Sequence, residues 1–223
     1  MNEAQGASLA GLATILAFLS GFVDTAAFIH MSGLFVAHVT GNFVLLGAAL
    51  ASGGAVGGKG PEALQLAALP IFFAAALITG ALAARLPAAR SLGVILWSAA
   101  LMMAGVAAAG ALVGAGPWDA ASAVVLIAAM GMLNAAHRLN PAMGPPFALM
   151  TGNVAALAIH AAQALRLASP PEAPQPGNAG QMLRAVAGFA TGCACGAIAQ
   201  GWMGLASIAI PTMLLIGRLA LTR

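Results

Sequence analysis

Apolar runs close to a bilayer crossing in length alternate with short polar breaks along the whole chain. A helix needs about 20 apolar residues to cross the hydrocarbon. The runs are A (Leu9–Ile29), B (Leu34–Ala51), C (Leu64–Leu86), D (Leu92–Gly114), E (Ala120–His137), F (Pro146–Leu167), G (Leu183–Met203) and H (Leu205–Leu221). Segment B is short, and both B and F carry a polar cluster near their start. The stretch Ser169–Gln181, SPPEAPQPGNAGQ, reads as an exposed loop. Segment A has no basic stretch before it and is too long for a signal-peptide core, so it is expected to stay as the first span.

The pattern repeats. Gly21-Phe22-Val23-Asp24 recurs as Gly131-Met132-Leu133-Asn134 at an offset of 110. Thr40-Gly41-Asn42 recurs as Thr151-Gly152-Asn153 at an offset of 111. Further on, the Phe73–Ala81 stretch echoes Phe189–Ala197. The chain is therefore read as one transmembrane domain of two copies, about residues 9–114 and 120–221.

Charge placement decides how the copies lie. If every segment crosses, Lys59, Arg166, Arg184, Arg218 and Arg223 fall on one side and Arg85, Arg90 and Arg138 on the other. If B and F dip in and return, only Lys59 is parted from the rest, and that is the bias cytoplasmic loops carry. Each copy then has an odd number of spans. The expected fold is an all-α polytopic membrane protein of two inverted repeats, with six full spans and two re-entrant or broken helices. Both termini are expected in the cytoplasm.

Composition narrows the class. Sixty-one per cent of residues are hydrophobic and 6% are charged, against about 25% charged in soluble domains. That excludes a soluble globular chain and a disordered one. The net charge of +3 comes from scattered Lys and Arg rather than a basic face, so nucleic acid is not an expected partner. The 28 Gly and 12 Pro suit helices packed inside a bilayer. Trp118 and Trp202 fall where the outer membrane interface is expected.

The two Thr-Gly-Asn triplets sit where the re-entrant half-helices would begin. Thr40 or Asn42, and Thr151 or Asn153, suit the capping of free helical N–H groups. Gly41 and Gly152 allow close approach or unusual backbone angles. Inverted copies would bring both turns to the midplane, where broken-helix transporters bind solutes. The pattern SGFVDTAAF…GLFVAHVTGNFVLLG resembles the signature of the YoaK-like family of small bacterial membrane proteins, over nearly the whole chain. The resemblance implies a multi-pass protein of the bacterial inner membrane with about six spans, and no assigned activity. Asn134 stands where the first copy has Asp24, which argues against a mechanism needing two symmetric acids.

Asp24 is the only acid inside an apolar segment. A charge at bilayer centre costs about 2.5–3.5 kcal/mol on insertion scales, so such a residue faces a cavity or a partner. Arg138, one turn beyond Asn134, is the expected partner, unless it serves only as a topology charge at the end of E. His30 and His38 flank the first turn and His137 adjoins Arg138. Histidine titrates near neutral pH, which suits a proton relay. The His and Asp spacings match no metal-ligand pattern. Cys193 and Cys195, two apart on a helix, point to different faces and read as packing residues. Gly188, Gly192 and Gly196 form a small-residue face for helix packing.

The function expected from these features is a transporter or channel for a small solute or ion, with proton coupling compatible. Its expected substrate-binding residues are Thr40, Gly41, Asn42, Thr151, Gly152 and Asn153. Its expected coupling residues are Asp24, His38, Asn134 and Arg138. No cofactor, metal or enzymatic activity is expected. Partners are the lipid bilayer and a small solute, and the small-residue faces leave homo-oligomerisation open. The alternatives are a non-catalytic scaffold or partner subunit and, behind it, an intramembrane hydrolase using Ser20 or Ser32. The hydrolase reading lacks a G-x-S-G element.

Overall fold

The computed structural model describes residues 3–51, 62–116, 118–167 and 177–221. They form α1 (Glu3–His30), α2 (Gly41–Ala51), α3 (Glu62–Arg85), α4 (Ala88–Val113), α5 (Asp119–Leu139), α6 (Met150–Ala164), α7 (Ala179–Met203) and α8 (Ala209–Ala220). Short 3-10 turns at Pro141–Met143 and Gly204–Ile208 complete the order, and no strand occurs among the described residues. Five helical runs are long and apolar enough to cross a membrane: Gly11–His30, Glu62–Arg85, Ala88–Val113, Asp119–Leu139 and Ala179–Ala220. The last is interrupted after Met203 by a 3-10 turn that opens on Gly204, at φ 56°. A positive φ there costs a glycine little.

Segments B and F are only partly helical. Residues 31–40 and 144–149 are loop and turn, and the helices that follow, α2 and α6, have 11 and 15 residues. Both are shorter than a bilayer crossing. The loop expected over Ser169–Gln181 lies largely outside the described residues. Its last three positions are the first turn of α7. There Asn178 accepts the Gln181 N–H at 2.9 Å while the Gln181 side chain accepts the Asn178 N–H at 3.1 Å. This reciprocal capping box satisfies two N–H groups at the helix start and sets its beginning.

Contacts between helix ends fix their directions. His30, ending α1, lies 3.2 Å from Asp119, which begins α5. Gln200 near the end of α7 reaches His30 at 3.5 Å. Gln65 in the first turn of α3 donates to Gly33 O just beyond α1, at 2.7 Å. One end of the molecule therefore gathers the end of α1, the start of α3, the start of α5 and the end of α7. At the other end Leu9 and Leu12 of α1, Leu92 and Leu96 of α4 and Arg218 of α8 border one cleft. Because α1 ends where α3 starts, the α2 segment returns to the end it left. Gly144, just after α5, lies beside Gln181 at the start of α7, so α6 does likewise.

The core runs along α1, packed against α7, and continues through α5 and α4, which pack on each other. α1 packs against α7, and α3 packs against α5. Exchanging the copies converts one pairing into the other. The α1–α7 pairing is very close. A Cβ on Gly192 would run into Phe18 O and lie 2.9 Å from Phe18 C, and one on Gly196 would run into Phe22 O. The small-residue face expected on α7 is thus a backbone-to-backbone seam.

Candidate functional site

The site begins at Asp24, late in α1 and 4% exposed. Oδ1 accepts the backbone N–H groups of Val36 and Ala37, at 2.7 and 2.8 Å. Oδ2 lies 2.7 Å from His38 Nδ1. A buried carboxylate must be paired or hydrogen-bonded, and here loop 31–40 supplies every partner. An ionised carboxylate only accepts, so Nδ1 carries the proton in that pairing. The expected Asp24–Arg138 pair does not form. Asp24 lies near the end of the molecule that holds His30, while Arg138 ends α5 at the opposite end and is exposed. The chain's antiparallel α1 and α5 keep them apart.

The Asn residues of the two triplets do one job in both copies. Asn42 is buried; its Nδ2 donates to Phe35 O at 2.9 Å and its Oδ1 accepts the Phe35 N–H at 2.9 Å. Asn153 donates to Pro146 O at 2.7 Å. Phe35 and Pro146 are repeat partners, and proline has no N–H to return the second bond. So these Asn side chains staple their preceding loops rather than cap their own helices. α6 has no side-chain cap at Leu149. Thr40, Thr151 and Gly152 are exposed and Gly41 is half-buried. Asn42→Ala should cost about 2 kcal/mol of stability and Asn153→Ala about 1, following one bond or two per site. Thermal unfolding in detergent measures both, and the reverse order would contradict the staple.

Asn134, the counterpart of Asp24, bonds Met130 O within its own helix at 2.9 Å. The second loop is instead packed by Phe147, whose ring meets His137 edge-on at 5.5 Å.

Two cavities meet at His38. The larger, about 470 Å³, takes walls from both loops (Ala37–Thr40 and Pro146–Leu149) and from α3 and α5. Its polar groups are His38, Thr40, Asn134, His137 and Arg138. The smaller, about 230 Å³, is lined by Asp24, Thr25, Phe28, Phe35, His38, Phe189 and Cys193. The Phe28 and Phe35 rings meet at a tilt of 43° with centres 4.7 Å apart, and His38 sits edge-on to Phe189 at 5.2 Å. The larger cavity lies toward the end holding Arg138 and the smaller toward the end holding His30.

Of the expected coupling residues, Asp24 and His38 are joined directly, while Asn134 and Arg138 share the larger cavity with His38. Of the expected solute-binding residues, Thr40 is on a cavity wall. The others line neither cavity: Asn42 and Asn153 tie the loops, and Gly41, Thr151 and Gly152 border no wall of either. Sequence reasoning passed over the loop N–H groups of Val36 and Ala37, the α3 wall of Phe72, Ala76 and Gly80, and Phe147. Backbone donors leave no residue-type signal, although the α3 row could have been found as the repeat image of Gly188, Gly192 and Gly196. Among the described residues no three His, Cys, Asp or Glu side chains converge to hold a metal. Ser20 Oγ is buried without a hydrogen-bond partner, so no histidine is placed to activate it.

These long apolar helices define an all-helical protein of membrane-spanning type. The chain belongs to the family described as Protein of unknown function (DUF1275), whose model matches residues 12–221. The family resemblance carried by the Asp24 and Thr-Gly-Asn signature is thereby borne out. Neither the curated proteins nor the solved structures contain a match.

Proposed function

We propose that the chain is a transporter or channel for a small solute, built as an inverted repeat, with its pathway running through the two cavities past His38. One observation carries this reading. Asp24, Thr25, Phe28, Phe35 and His38 line the smaller cavity, and their repeat partners Asn134, Ala135, Arg138, Pro146 and Leu149 all line the larger. The two cavities thus share five pairs of repeat partners, and His38 borders both.

Three further features support it. The loops at the larger cavity descend from opposite ends of the molecule, as inverted broken helices do. Irregular backbone at membrane depth persists where it lines a cavity or is buried in protein, as it does here. Arg85, Arg90, Arg138, Arg184 and Arg218 belong to the helix ends gathered opposite His30, the end that the positive-inside rule makes cytoplasmic. The helices then amount to six spans, with α7 crossing once and the Gly204–Ile208 turn and α8 together crossing back. The Asp24–His38 pair gives the pathway a titratable element, which suits proton coupling. No step of this reading requires enzymatic chemistry.

Cysteine accessibility tests it without knowledge of the solute. Cys193 lines the smaller cavity, so with Cys195→Ser it should react with a membrane-impermeant methanethiosulfonate from outside the cell. Ala135 lines the larger cavity, so Ala135→Cys in a background free of other cysteines should react only in inside-out vesicles. Labelling of both from one side would remove the two-sided pathway.

A further inference from the structure

We infer that the larger cavity is a binding site for a small organic monoanion, a carboxylate with a compact apolar body. This rests on the transport reading above and names the class of solute for the same site. At about 470 Å³ the cavity falls within the range of small-molecule sites. Its polar side is cationic. Arg138 lies on the wall, and among the described residues no carboxylate pairs with it. Arginine suits this role because its planar fork meets the two carboxylate oxygens together.

Beside it stands His137, only 6% exposed, with Nε2 buried and without a hydrogen-bond partner. Its ring already meets the Pro145 and Gly144 carbonyls, so Nε2 is the acceptor nitrogen of a neutral ring and takes no part in holding an anion, which leaves that work to Arg138. Thr40 adds a hydroxyl from the first loop. Asp24 does not line this cavity and spends its oxygens on Val36, Ala37 and His38. A carboxylate here therefore meets a fixed positive charge and no free negative one. The remaining wall, with Phe72, Ala76 and Phe147, is apolar and matches a hydrocarbon body better than a second charge. The repeat image of Arg138 is Phe28, so the smaller cavity carries no such charge and the preference belongs to the larger one alone.

The test uses the purified full chain in nanodiscs of zwitterionic lipid and three phenyl probes of similar size and different charge: benzoate, benzamide and benzylamine. Binding is read by calorimetric titration. Benzoate is expected to bind roughly tenfold or more tightly than either relative. Arg138→Gln should erase that preference, and Arg138→Lys should restore part of it. Equal binding of the three, or tighter benzylamine, overturns the inference on the unaltered protein, whatever the variants do. Benzoate binding unchanged by Arg138→Gln overturns it as well. If anionic phosphatidylglycerol in the nanodisc displaces benzoate, the arginine serves a lipid headgroup and the soluble-anion site is overturned. The cysteine experiment judges the pathway without any probe, and this one judges the solute class without any flux. Their failures are therefore told apart.

Discussion

Asp24→Ala is expected to release the first loop and cost about 2–6 kcal/mol, the range for two buried N–H groups left without a partner. The substitution strands the Val36 and Ala37 N–H groups and frees His38. Each buried donor left without a partner costs about 1–3 kcal/mol. Asp24→Asn separates structure from charge. Its Oδ1 keeps both backbone bonds, and its amide N–H can donate to His38 Nδ1 once the histidine proton moves to Nε2. It should therefore cost about 1–2 kcal/mol, the loss of charge assistance. Unfolding in detergent, with limited proteolysis within residues 31–40, measures both. If Asp24→Ala is as stable as Asp24→Asn, the carboxylate does not hold the loop. A folded Asp24→Asn variant then becomes the reagent for coupling. Solute flux that stays proton-dependent in it would remove Asp24 from the coupling machinery.

Gly192→Ala and Gly196→Ala should each separate α1 from α7 and destabilise the fold by roughly 3 kcal/mol, the upper range for overpacking. At both positions the added Cβ meets the backbone of α1, at Phe18 and Phe22 respectively. Backbone within a helix cannot swing aside as a side chain does, so the whole helix must move. Gly80, the repeat partner of Gly196, has nothing within 4 Å of the same Cβ position. Gly80→Ala should therefore be neutral or stabilise by up to about 1 kcal/mol through helix propensity. Parallel thermal unfolding of the three variants checks the contrast. Equal effects at Gly80 and Gly196 would mean that the seam is not closely packed.

That contrast between repeat partners bears on what could be read in advance. The stripe of Gly188, Gly192 and Gly196 announces close packing, because spacing by four places small residues on one helix face. Which helix it meets is a matter of topology. The same limit explains Arg138. Its register relative to Asn134 suggests a partner for Asp24, but the register says nothing of how far the ends of α1 and α5 lie from each other. Asn42 and Asn153 were legible as a matched pair. Their work, reaching seven residues back to Phe35 and Pro146, depends on a loop conformation that leaves no mark in residue type.

The sequence by itself determined the helical membrane-spanning class and the shortness of the helices in segments B and F. These follow from apolar run length and the placement of polar breaks, which are one-dimensional properties of the chain. Only the tertiary structure decided that Asp24 holds the first loop, that His38 borders two cavities and that Arg138 lines the larger one. Those facts depend on where backbone N–H groups point and how closely helices approach. Both are set by packing between residues far apart in the chain.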